Sequence, residues 1–213
     1  MPRTLAVITG DIIDSRRIQP AEALSRALDA ALEGLTERFG ACTSRYRGDG
    51  FQLALAPQHA MEAAVLLRAS LIRHSSREQR WDARLAVAVG PADGWTPRQG
   101  IAEANAPPFV ASGLALDALP EDQHLVLNPG APPSGCLALL VRYLDEMVEG
   151  WTPAAAEVVA QMLCHADSQQ ALATRLGISQ PAVHKRLRTA RWPLLQETLA
   201  YLRHRLTDEE PAP

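Results

Sequence analysis

The tripeptide Gly48-Asp49-Gly50 is a strong hairpin signal that constrains how the first part of this chain can fold. It separates two runs of strand character, residues 43–47 and 51–56, and its composition suits a tight hairpin because glycine reaches positive φ at little cost. Helical periods flank the hairpin on both sides. Residues 20–38 carry Ala23, Leu24, Ala27, Leu28, Ala31, Leu32 and Leu35 on one face, with Pro20 at the start. Residues 60–73 read as a second amphipathic helix. Outside these lie an apolar run at residues 5–9, ending in Gly10-Asp11 and suited to a buried central strand, and a fourth strand at 83–89. A Pro/Gly-rich loop follows at 90–108, then a short helix at 109–119, a last strand at 124–127 and a Pro-Gly linker at 128–135.

The order β-α-β-β-α-β, with a helix and strand added, predicts an α+β domain of split βαβ, ferredoxin-like type. In that topology the first two strands run parallel with the third antiparallel between them. The C-terminal end of the first strand then shares a sheet edge with the hairpin tip, so Asp11 and Asp49 are expected to be neighbours although 38 positions apart. Two carboxylates so placed repel unless a cation or a basic residue compensates. Mg²⁺ suits such a site, because it takes one or two carboxylates together with phosphate oxygens. The turn after Asp11 offers backbone N–H groups to a phosphate, with Arg16 or Arg17 adding charge. The same residues also fit a purely structural role, Asp11 capping the following turn and Asp49 occupying an Asp-Gly hairpin.

A second unit follows the linker. Residues 137–148 form an apolar-rich helix suited to joining domains or pairing subunits, and Thr152-Pro153 opens another helix. Residues 168–188 then read as a helix, a glycine turn and a helix with a basic face. Leu172, Ala173 and Leu176 point inward, Gly177 turns, Ile178 plugs the corner, Ser179 caps and Pro181 sits in the first turn. Val183 and Leu187 also point inward, which leaves Ser179, Gln180, His184, Lys185 and Arg188 to meet double-stranded DNA in its major groove. An ordinary αα-corner is the alternative, and the coincidence of cap, turn, small residue and basic face favours DNA. Charge agrees: residues 1–150 hold 14 Lys/Arg against 18 Asp/Glu, while residues 151–206 hold 7 against 3. The expected organisation is a palm at 1–134, a connecting helix at 135–150, the helix-turn-helix unit at 151–206 and a disordered tail at 207–213.

Several function classes drop out. Cys42, Cys136 and Cys164 are scattered without CxxC spacing and fit reduced thiols of a cytoplasmic protein. No leader-like N-terminus and no apolar run near the ~20 residues of a membrane span are present, so no membrane partner is expected. The six histidines make no HExxH, there is no phosphate-binding Walker loop, and Ser15 and Ser112 lack a nucleophile-elbow context. Trp151 and Trp192 read as packing residues.

Two segments carry a family resemblance: Gly10-Asp11-Ile12-Ile13-Asp14-Ser15-Arg16 and Arg45-Tyr46-Arg47-Gly48-Asp49-Gly50-Phe51-Gln52. They resemble the metal-binding segments of class III nucleotidyl cyclases, whose catalytic domain is a ferredoxin-like palm. Nearly the whole chain, with the C-terminal helix pair, is similar to the SatD-like family of bacterial proteins. The resemblance implies Mg²⁺ at Asp11 and Asp49, and a nucleotide against Ile12, Asp14, Ser15, Arg16, Arg45 and Gly48. Cyclases also carry an Asn and an Arg on the helix after the fourth strand. Here that stretch is residues 110–116, and Ala111 and Ala115 fall at those places. Losing one electrostatic stabiliser costs ~10²–10³-fold in rate, so the implied palm senses a nucleotide and turns it over poorly. The expectation is a homodimeric DNA-binding regulator with a nucleotide-sensing, catalytically degenerate palm. The alternatives are an active metal-dependent cyclase or oligonucleotide synthetase with a DNA-binding tail, and an adaptor whose palm has no ligand.

Overall fold

The computed structural model describes residues 4–46, 48–130, 135–165 and 168–207. The elements in order are β1 (Thr4–Ile12), α1 (Ala21–Phe39), β2 (Cys42–Arg45), β3 (Phe51–Leu55), α2 (Ala60–Ile72), β4 (Ala83–Pro91), α3 (Pro107–Asp117), β5 (Leu125–Asn128), α4 (Gly135–Glu149), α5 (Pro153–His165), α6 (Gln169–Leu176), α7 (Gln180–Thr189) and α8 (Trp192–Thr207). The expected tail at 207–213 falls, beyond Thr207, outside the described residues.

The strands form one sheet in the order β2-β3-β1-β4-β5. β3 runs antiparallel to both β1 and β2, so β1 and β2 are parallel with β3 between them, the split βαβ arrangement read from the sequence. β5 extends the sheet as a parallel neighbour of β4. Alternation along β1 assigns its two faces. Ala6, Ile8 and Ile12 enter the core shared with α1 and α2, while Leu5 and Val7 pack with Phe109 of α3 on the other side. Thr9 continues that second face, its Oγ1 lying 2.7 Å from Ser112 Oγ on α3.

Gly10 lies where the sheet admits no side chain. A Cβ there would stand 2.5 Å from Leu85 Cδ2, 2.7 Å from Phe51 Cζ and 2.9 Å from the Arg84 carbonyl oxygen. Because the last of these is backbone and both side chains are buried, Gly10→Ala is expected to destabilise by about 1–3 kcal/mol through overpacking. A urea midpoint equal to wild type would show that the sheet opens at no cost.

One helix departs from the sequence reading. Residues 60–73 scan as amphipathic, yet every residue of α2 from Ala60 to Ile72 is buried, including Glu62, Arg68 and Ser70. The sheet covers one side of α2, and α4, α5 and α8 cover the other, so the core runs without a break from β1 to Leu206. A helix so enclosed keeps polar residues only where they are satisfied. Glu62 receives Arg38 of α1 at 3.0 Å and also pairs with Arg203 of α8. Arg68, fully buried, donates to both oxygens of Asp82 at 2.8 and 2.9 Å and to Asp145 of α4 at 2.6 Å. The other Asp145 oxygen accepts the backbone N–H groups of His124 and Leu125 at the start of β5. Burial works against the Arg68 charge, but the two carboxylates outweigh it and hold its pKa above the ordinary value. No helix among the described residues is long and apolar enough to cross a membrane.

Candidate functional site

The hairpin and the end of β1 meet as the topology requires. Gly10 pairs with Phe51, so one further step along β1 brings Asp11 alongside Gly50 and next to Asp49. The Tyr46 N–H donates to the Gly50 carbonyl across the hairpin, and Gly48 sits at φ 97, a conformation that favours glycine. Asp11 continues the α3-facing side of β1 and lies directly opposite Arg84 of β4. Its Oδ1 is buried without a hydrogen-bond partner among the described residues, and so is Nε of Arg84. Burial raises the Asp11 pKa above the usual carboxylate range. The Arg84 charge and the residue's own backbone N–H oppose this, whereas Asp49 and Asp117, at the end of α3, push it further up.

The remaining expected residues surround two cavities that meet at Asp49. One, of about 380 Å³, runs between the β1 turn and α1 and is lined by Ile12, Ser15, Arg16, Ser25, Arg45, Gly48 and Asp49, among others. The second, of about 270 Å³, takes in Asp14 and Arg17 beside Ile12, Ser15, Arg16 and Asp49. Asp14 adopts the left-handed conformation at φ 50 and starts a single 3-10 turn, Ser15–Arg17, that carries Arg16 to the cavity mouth. Arg45 is already engaged: its guanidinium donates to Asp29 at 2.7 Å and to Ser25 at 2.9 Å across α1, so it reaches the cavity as a fixed group. Asp11 lines neither cavity, being on the other side of β1.

A metal fits these residues in one specific way. No group of three or more His, Cys, Asp or Glu side chains among the described residues could hold an ion by itself. Asp11 and Asp49 could hold Mg²⁺ as a pair, with phosphate or water oxygens completing the shell. The unpartnered Asp11 oxygen is the observation that supports the fit, since a buried carboxylate oxygen without a donor is costly unless a cation reaches it. Arg84, Asp117 and the two partners of Arg45, Ser25 and Asp29, were not singled out from sequence. Only strand register could have pointed to Arg84, and nothing local points to Asp117.

On α3 the structure leaves Ala111 and Ala115 half-buried, each following an exposed apolar residue, Val110 and Leu114. The helix offers no amide or cationic side chain anywhere from Pro107 to Asp117.

At the other end of the chain, α6 and α7 form a capped pair. Ser168 accepts from the Ala171 N–H at 3.1 Å, Ser179 from the Ala182 N–H at 3.3 Å, and Gly177 turns at φ 64. Leu172, Ala173, Val183 and Leu187 are buried as their spacing requires, and α7 packs on both α5 and α6. Ser179, Gln180, His184, Lys185 and Arg188 are all exposed. Trp151 and Trp192 are buried packing residues.

No protein-family model and no curated protein sequence matches the chain. Solved structures do. The chain is similar to the active GGEEF domain of a diguanylate cyclase from Vibrio cholerae, at 16% identity over 62% of this chain and 85% of that one, with a TM-score of 0.44. It is similar to the guanylate cyclase domain of RhGC from Catenaria anguillulae in complex with GTP, at 17% identity over 41% and 57% of the two chains and a TM-score of 0.34. A bacterial light-regulated adenylyl cyclase matches at 10% identity over 60% of this chain and 44% of its own, with a TM-score of 0.41.

Proposed function

We propose that the chain is a divalent-cation-dependent nucleotide-binding protein of nucleotidyl-cyclase type, which also carries a DNA-binding helix pair. The observation behind the first part is the unpartnered Oδ1 of Asp11, which lies on the opposite side of β1 from the cavity but close enough to Asp49 to feel its charge, while Asp49 itself lines the cavity with Arg16 and Ser15. Asp11 and Asp49 hold the cation; when bound, it neutralises charge on phosphate oxygens. Arg16, with the N–H groups of the turn after Asp14, takes the remaining phosphate charge. Ile12, Leu24 and Leu28 give the larger cavity an apolar side against which a base can lie, with Ser25 and Arg45 as polar contacts.

Nucleotidyl transfer is the enzymatic form of this reading, and the paired carboxylates are the groups such a reaction needs first. The transition-state donors are missing from α3, so turnover by one chain alone is expected to be slow. The reading includes membership of the SatD-like family, supported by the segments at 10–16, 48–52 and 168–188, and a homodimer, supported by the exposed Leu139 and Tyr143 on α4 and Leu194 and Tyr201 on α8. DNA binding is supported by the capped, outward-facing α7.

Calorimetric titration with each nucleoside triphosphate, with Mg²⁺ and then with chelator, tests the palm. The expected result is binding that requires the cation, with chromatography of the same mixtures reporting any product. Equal binding in chelator, or none under either condition, would sink the nucleotide reading.

A further inference from the structure

The chain contains a single lysine, Lys185, and it lies on the exposed face of α7. The basic residues of α7 and α8 divide by role. Arg186 is tied to Glu157 of α5 at 2.8 Å and Arg203 to Glu62 of α2, so these cations hold the helices to the rest of the fold. Lys185, Arg188 and Arg191 have no ion pair among the described residues. With Thr189 they line one concavity of about 590 Å³ at the end of α7.

Arg191 is the unusual member. Its φ is 55, in the left-handed region, where a side chain costs stability that glycine does not. The same chain places glycine at the corresponding φ of 64 at Gly177, where only the turn matters. Backbone bonds lock Arg191 in this conformation: its N–H donates to the Arg188 carbonyl at 3.1 Å, and its own carbonyl accepts from Leu195 at 3.0 Å. The residue closes α7 and opens α8 together, and its side chain is delivered to the concavity beside Lys185 and Arg188. An arginine where the backbone favours glycine points to a use for its charge.

We propose that Lys185, Arg188 and Arg191 form a clamp for the phosphodiester backbone of duplex DNA. The proposal rests on the DNA-binding reading of α7. Gln180, His184 and Arg188 recur every four residues and therefore form one stripe. The N-terminal part of that stripe is polar and suited to base edges, and its C-terminal end merges with the cationic concavity. Backbone contact by the clamp fixes the register in which Gln180 and His184 meet the bases.

The experiment titrates a 24-base-pair duplex of arbitrary sequence into the full chain between 50 and 200 mM salt, with fluorescence anisotropy as the readout. Wild type is expected to bind with a steep salt dependence, and each lost phosphate contact flattens the slope of log K against log salt by about 0.9. R191G should bind several-fold more weakly at low salt, flatten the slope by about that amount, and melt no lower than wild type. R191K should restore the slope because it keeps the charge. The K185A/R188A double variant should flatten the slope by about two contacts, while R98Q, at an exposed loop arginine, should match wild type. Amine-selective labelling of Lys185 should fall when duplex is present. Wild-type slope in R191G alongside a flattened slope in K185A/R188A would overturn the clamp and leave the DNA reading standing. R191K binding no better than R191G would also overturn it. No salt-dependent binding by wild type would remove both.

Discussion

Arg68→Met is expected to be the most damaging single substitution in this protein. The methionine fills similar space but leaves the Asp82 and Asp145 carboxylates buried without their cation. Breaking a buried pair in this way costs about 3–5 kcal/mol, a large part of the ~5–15 kcal/mol by which a domain is stable. The effect should show as a sharply lowered urea midpoint at pH 7. It should also shrink on acidification. Burial by itself would raise the Asp82 pKa, but the charge and hydrogen bonds of Arg68, then Arg80 and the Ala83 N–H, bring it below the usual range. A carboxylate with a depressed folded pKa contributes stability above its unfolded value, ~3.9, and that stability is lost as pH falls through the folded pKa. Wild type therefore loses this contribution below about pH 4, and the gap to Arg68→Met narrows there. Adding Asp82→Asn and Asp145→Asn to Arg68→Met should recover part of the loss. A midpoint change worth less than about 1 kcal/mol would show that water already reaches the network.

Asp11→Asn should have opposite effects on stability and on ligand binding. Burial first, and then Asp49 and Asp117, hold the Asp11 pKa above its unfolded value. Such a group costs stability at pH values above its folded pKa, and the cost disappears as pH falls through it. Asparagine removes that cost, so the ligand-free variant should melt higher than wild type at pH 7, by about 2–4 °C for each kcal/mol recovered. The same change, like Asp49→Asn, removes one of two cation ligands. Mg²⁺-dependent nucleotide affinity should fall on the order of 100-fold, about 2.7 kcal/mol. In wild type, cation affinity should weaken as pH falls toward the Asp11 pKa, because proton and metal compete for one carboxylate. A variant that melts lower and binds nucleotide normally would make Asp11 a structural cap rather than a ligand.

The sheet order, the meeting of β1 with the hairpin and the capped α6–α7 pair were legible in the sequence. Each depends on local chemistry: glycine at positive φ in Gly48 and Gly177, serine oxygens on free helix N–H groups at Ser168 and Ser179, and apolar spacing that repeats within one element. The approach of Asp11 to Asp49 also followed, because a βαββαβ order permits few strand arrangements. Three features did not follow. The full burial of α2 depends on which helices cover its outer face, and Arg68 finds its partners 14 and 77 positions away. The electrostatic setting of the orphaned Asp11 carboxylate depends on its burial and on Arg84 and Asp117, which strand register and the end of α3 bring near it. The left-handed Arg191 bears no residue-type signal for a turn, since its conformation is imposed by bonds to Arg188 and Leu195. Residues a few positions apart specify the elements and the few orders in which they can pair, so these can be read along the chain. Which charges are satisfied and which are left for a ligand follows only from packing, because the partners that settle a buried charge come from distant parts of the chain.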